Sequence, residues 1–282
     1  MHADSETMLK GGKAGSRPRI AFGRWLSTRP ASIVIYILVM WAIVEAALTG
    51  AAAMGYNWQW YRIPKYFYEI REGQIVAGPL IWGLGGTIAL SVTAFVLATV
   101  IGFVIALLRL SDLVVGRAVA RAFLEIVRNT PLLVLLYVFY YVFGPIFGLN
   151  RYTASVGCLA IFHAALISEI FRAGINAVPT GQWEAAKSIG MSTGQIYRYI
   201  IVPQSLRFML PPMTGEVVNM IKSSAIVSVI AVAELTTIGR NIISDTYMSF
   251  EIWFTVAAVY MVVTLIVSGC ATLLERRYAV KD

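Results

Sequence analysis

His163, Glu169, Glu216 and Lys222 are ionisable side chains set inside or at the edge of long apolar runs. Held in lipid, each costs at least ~2.5–3.5 kcal/mol, so each must face protein, water or a charged cargo. Glu216 and Lys222 are six residues apart, which puts them on different faces of a helix and argues against a direct pair. Lys222 can pair with Glu169 on another helix, or Lys222 or His163 can face a central path and meet the charge of a passing solute. Both readings stay open at this point. The possible translocation path is therefore His163, Glu169 and Lys222, with Ser223 and Ser224 beside the lysine. Catalysis fits poorly. The chain has no G-x-x-x-x-G-K-[ST] run to cradle nucleotide phosphates, and no H-E-x-x-H, G-x-S-x-G or cysteine-rich metal spacing. Cys158 and Cys270 both fall in apolar runs and read as two buried free thiols.

Such side chains need spans to carry them. Of 282 residues, 58% are hydrophobic and 13% charged, against roughly 25% charged in a soluble domain. The apolar residues gather at 31–54, 79–108, 122–143, 154–171, 207–233 and 252–274. Without water to satisfy unpaired backbone groups, these runs must be helices. The period-two segments of a membrane barrel are not visible. The expectation is an all-α integral membrane protein of about six transmembrane helices. The first run, 24 residues, exceeds the ~7–15 of a signal-peptide core, so it reads as a retained N-terminal helix. Residues 55–78, rich in Tyr and Trp, read as an outer interfacial helix.

The net charge of +8 does not point to nucleic acid, because the basic residues fall between apolar runs rather than on one face. Alternate segments carry seventeen Lys and Arg on one side and five on the other, with Lys222 inside a run. The richer side is expected to be cytoplasmic, which places both termini inside and makes residues 1–30 a basic cytoplasmic tail. Lipid is the surrounding partner.

On that same side, residues 178–203 read VPTGQWEAAKSIGMSTGQIYRYIIVP. Thr180 can cap a short helix, Gly190 supplies its stop, and Ser192 with Gln195 has capping-box spacing for a second helix that Pro203 ends. Ala185 and Ala186 offer a small-residue surface that another protein can approach closely.

Glu184-Ala185-Ala186, then Gly190, Ile200 and Val202-Pro203 at fixed spacings, resembles the EAA motif of bacterial ABC importer permeases, with Val202 where Leu is usual. Residues 79–278 resemble that family's transmembrane domain and its polar-amino-acid branch in particular. Glu125-Ile126-Val127-Arg128-Asn129-Thr130-Pro131-Leu132-Leu133 looks like the branch's E-x-x-R-G-T-P-L-L signature, with Asn129 for Gly. Lys222 to Ile230 followed by Glu234-Leu235 looks like a later core helix. Leu135 and the run Phe162 to Leu166 depart from the branch and bear on the substrate.

The resemblance implies a five-helix type I importer core plus one added N-terminal helix in a bacterial inner membrane. It also implies a coupling role for Glu184, Ala185, Ala186, Gly190, Ile200 and Pro203. A separate ATP-binding subunit would hold ATP and Mg, a second permease subunit would complete a homo- or heterodimer, and an extracytoplasmic amino-acid-binding protein would deliver the solute. An ion-gradient-driven amino-acid transporter is the alternative, although the internal repeats such proteins show are not seen.

Overall fold

The computed structural model describes residues 29–71 and 73–278, so the expected tail over 1–30 lies almost wholly outside the described residues. The chain divides into two units, one ending at Asn57 and one beginning at Trp58. In the first, α1 runs Arg29–Ala53. Apart from exposed Glu45 it is apolar around its circumference, and within it Ser32–Ala53 is long and apolar enough to cross a bilayer. A helix without a polar face suits lipid all round.

The second unit opens with the aromatic segment, and here the expected interfacial helix gives way to smaller pieces. A 3-10 turn at Trp60–Arg62 leads to a one-turn helix at Pro64–Phe67. A hairpin follows, β1 Tyr68–Arg71 against β2 Gln74–Ala77, with Tyr68 opposite Ala77. Pro64 starts a fresh helical turn after the 3-10 turn, and Ile70, Ile75 and Val76 favour strands. The Gln59 N–H donates to Glu251 Oε1 at 2.6 Å, which ties this cap to a later span.

Three helices are straightforward spans: α2 at Pro79–Leu110, α5 at Arg151–Asn176 and α10 at Ser249–Tyr278. With 32 residues, α2 reaches about 48 Å and overshoots a ~30 Å hydrocarbon core, so Arg109 at its end stands clear of the apolar zone. The centre of the fold is α2 against α5. Ala94, Ala98 and Ala106 line the contact side of α2 and are fully buried, as are Cys158, Ala160 and Ala164 on α5. Gly102 continues the four-residue spacing, and a Cβ there would lie 2.9 Å from the Ala164 carbonyl oxygen. Small residues let helix backbones approach where no hydrophobic drive exists between them. Of the two free thiols, Cys158 is buried as expected and Cys270 is exposed.

Two expected spans are broken instead of continuous. The run at 122–143 divides into an amphipathic α3, Val114–Arg128, and α4, Leu132–Phe147, whose axes turn by 105°. Pro131 keeps the preceding residue out of helical geometry, and the Asn129 side chain bonds the Glu125 carbonyl at 2.8 Å. The run at 207–233 ends its α-helix, α8, at Ser223 and passes through a 3-10 stretch, Ser224–Ile230. The next helix, α9, is Leu235–Thr246. Glu234 caps it from a fully buried position: one carboxylate oxygen accepts the Thr237 N–H at 2.6 Å, the other the Thr236 N–H at 2.8 Å and the Tyr260 hydroxyl at 2.9 Å. Glu234 thus satisfies two of the orphan N–H donors at the helix start, and Thr87 Oγ1 accepts a third from Leu235 at 3.1 Å.

Candidate functional site

The segment 178–203 folds as a hairpin of two short helices, α6 at Thr180–Ser188 and α7 at Thr193–Ile196. Pro179 occupies the cap position of α6 and Thr180 is its first residue, making no side-chain cap bond; proline's fixed φ already sets the entry. Gly190 sits at φ +78° just past the helix end, the left-handed position a side chain resists. The capping box is present: the Ser192 N–H donates to Gln195 Oε1 at 2.9 Å and the Gln195 N–H to Ser192 Oγ at 3.4 Å.

Pro203 does not end the second helix. It lies in the first turn of α8, Val202–Ser223, where a missing N–H is tolerated, and a π turn at Tyr197–Ile201 joins α7 to α8 without a break. The hairpin is therefore rooted directly in a membrane helix.

Its two faces differ. Ala186, Ile196 and Ile201 are buried with Ile175, Val178 and Met209, and Trp183 meets Tyr197 edge-on at 5.1 Å. Ile200 packs on that cluster from a half-buried position. Glu184, Ala185, Gly190 and Pro203 are exposed. Ala186 thus belongs to the hairpin's own core, and the small-residue surface offered to a partner reduces to Ala185. Ile189, 77% exposed at the hairpin tip, is a further candidate for the outer face that the sequence reading missed. Its signal was a large aliphatic residue directly before the turn glycine.

The ionisable residues do not converge. Glu169 Oε1 accepts from Arg109 at 2.6 Å and Oε2 from Arg172 at 2.9 Å, with Arg128 3.7 Å away. This cluster replaces the Lys222–Glu169 pairing entertained above, because α2 and α3 bring guanidinium groups closer to the carboxylate than α8 brings the lysine. His163 is 1% exposed and its Nδ1 lies 2.5 Å from Glu216 Oε1. Glu216 Oε2 accepts from Asn219 Nδ2 at 3.3 Å, while His163 Nε2 has no hydrogen-bond partner among the described residues. The pair joins α5 to α8, the helices on either side of the hairpin, and both side chains are buried within the chain. Lys222 is exposed at the far end of α8 and makes no ion pair among the described residues. Ser223 is half-buried, and Ser224 is buried with its hydroxyl given to the Ile221 carbonyl. No group of three or more metal-ligating side chains occurs among the described residues.

Residues 98–280 match the family described as binding-protein-dependent transport system inner membrane component. The chain is 36% identical over 206 residues to the octopine transport system permease protein OccM of Rhizobium radiobacter, covering 70% of this chain and 84% of that protein. It is 34% identical over 201 residues to the glutamine transport system permease protein GlnP of Escherichia coli K12, covering 70% and 92%. Among solved structures, an amino acid ABC transporter crystallised with histidines superposes at a TM-score of 0.70 with 39% identity, covering 79% of this chain and 100% of that one. An inward-facing MetNI methionine ABC transporter shares the fold at 0.61 with 20% identity, covering 71% and 96%.

Proposed function

This chain belongs to the binding-protein-dependent transport system inner membrane component family and is a multi-pass ABC-transporter permease, and we propose that it carries a polar amino acid inward while a separate subunit bound at its 178–203 hairpin binds ATP and Mg and hydrolyses the nucleotide. The match to an amino acid ABC transporter of the same fold favours ATP as the energy source over an ion gradient. The substrate class follows from relatives named for octopine and glutamine and from an amino acid transporter of the same fold. An extracytoplasmic binding protein delivers the solute, and a second permease subunit, identical or related, completes the path. The side with seventeen basic residues is cytoplasmic, so both termini and the hairpin are inside.

The observation that carries this reading is the two-faced hairpin. Its inner face is packed into the bundle core, its outer face presents Glu184, Ala185 and Ile189, and its second helix continues into α8. A push on the outer face is passed to a membrane helix without a flexible joint. Nucleotide shifts such a two-state system only through unequal affinity for the two states.

The test is Glu184→Arg with Ala185→Arg, both at exposed positions that leave Ala186 packed. The variant is expected to lose co-purifying ATPase and labelled amino acid uptake while keeping its membrane insertion and thermal midpoint. Retained ATPase together with normal uptake would refute the coupling role.

A further inference from the structure

The amphipathic helix α3 has no part in the hairpin or in the His163–Glu216 pair, yet it carries an unusual surface. It connects α2, which ends at Leu110, to α4, which begins at Leu132. α2 is long and apolar enough to cross a bilayer by itself, whereas α4 qualifies only in company with α3; with α4 taken as the crossing part of that pair, both ends of α3 return to one membrane surface. The 105° turn into α4 lays the helix along that surface when α4 stands across the bilayer.

Its side chains fall on three sides at 100° per residue. Ala120, Leu124 and Val127 are buried against Ile105 of α2 and Ala165 of α5. Val115, Val119 and Ile126, at 75%, 54% and 65% exposed, form a second, wholly apolar stripe. Arg117, Arg121 and Arg128 occupy a third, spaced by four and seven residues. From Arg109 to Arg128 the chain holds four arginines against two acids, Asp112 and Glu125. Glu125 already accepts from Asn129 Nδ2 at 3.0 Å. Glu169 is engaged by Arg109 and Arg172; Arg121 is exposed, and half-buried Arg117 gives one N–H to the Ser111 carbonyl at 3.2 Å and has no acidic partner among the described residues.

We propose that α3 is a surface-lying helix that binds anionic phospholipid, with Val115, Val119 and Ile126 among acyl chains and Arg117 and Arg121 at headgroup phosphates. Exposed aliphatic side chains on one side and surplus guanidinium groups on another are what the boundary of a negatively charged leaflet accommodates. A neutral lipid would satisfy the first feature but not the second. The inference rests on α2 and α4 crossing the membrane and is independent of the cargo.

The experiment uses the full chain in vesicles of phosphatidylcholine with a minor fraction of phosphatidylglycerol. Cys270→Ser removes the exposed thiol, buried Cys158 stays, and Val119→Cys carries an environment-sensitive fluorophore. Quenching by doxyl-labelled lipid is expected, with none by aqueous iodide. Doxyl-phosphatidylglycerol should outcompete doxyl-phosphatidylcholine by about fivefold. That preference should fall to parity in Arg117→Gln/Arg121→Gln, and in the arginine-containing chain at high salt. Iodide quenching would place the stripe in water, and silence to both quenchers would place it under protein, including a second copy. Equal quenching by the two lipids would show contact without headgroup selection. Any of these three results overturns the proposal.

Discussion

Glu216 brings a carboxylate into the packed interior of a membrane bundle, and its stability there depends on His163 Nδ1 at 2.5 Å and Asn219 at 3.3 Å. Removing one member of a buried pair leaves the other uncompensated, which costs about 3–5 kcal/mol, whereas replacing both by aliphatic groups is close to neutral. Glu216→Ala is therefore expected to lower the detergent-phase thermal midpoint well below that of Glu216→Leu/His163→Leu. Equal midpoints for the two variants would show that the pair is not coupled. The sequence marked His163 as an expensive residue but could not name its partner. The two lie 53 positions apart, and only the packing of α5 on α8 brings them together. The same holds for Glu169, where one partner, Arg172, is three residues away and legible, while Arg109 is sixty away and not.

At the scale of elements, the hairpin was largely readable, because caps and turns are written in local residue types. Gly190 and the Ser192–Gln195 box stood where their chemistry required. A side chain at φ +78° costs roughly 1–2 kcal/mol. Gly190→Val is accordingly expected to speed hydrogen exchange of the α6 amides, with Gly190→Asn milder; unchanged exchange in the valine variant would contradict the turn's role. Other elements were less legible. Apolar content alone merged α3 with α4, although the arginine spacing in 117–128 already distinguished the two. The β1–β2 hairpin escaped notice because the aromatic residues leading into it, Trp58 to Tyr68, suit a membrane interface. Pro211 and Pro212 stand inside α8 without ending it, since neighbouring helices can satisfy the freed carbonyls.

For the whole molecule, the apolar runs announced a helical membrane protein, and the alternation of basic segments implied a sidedness. That sidedness has a direct check. In a chain with Cys270→Ser, Ile189→Cys at the exposed hairpin tip should react with a membrane-impermeant maleimide only after the cytoplasmic face is opened. Labelling of intact cells would reverse the orientation. The π turn at Tyr197–Ile201 carries a consequence for how such a chain tolerates change. A wide turn is an α-helix that has absorbed one spare residue, so flanking segments keep their original rotational phase. Excising Tyr199, which is exposed, should close the turn to regular spacing and leave transport nearly intact. Excising exposed Phe208 instead should roll everything upstream by about 100° and abolish uptake. A permease that lost activity equally in both deletions would show that the spare residue is needed where it stands.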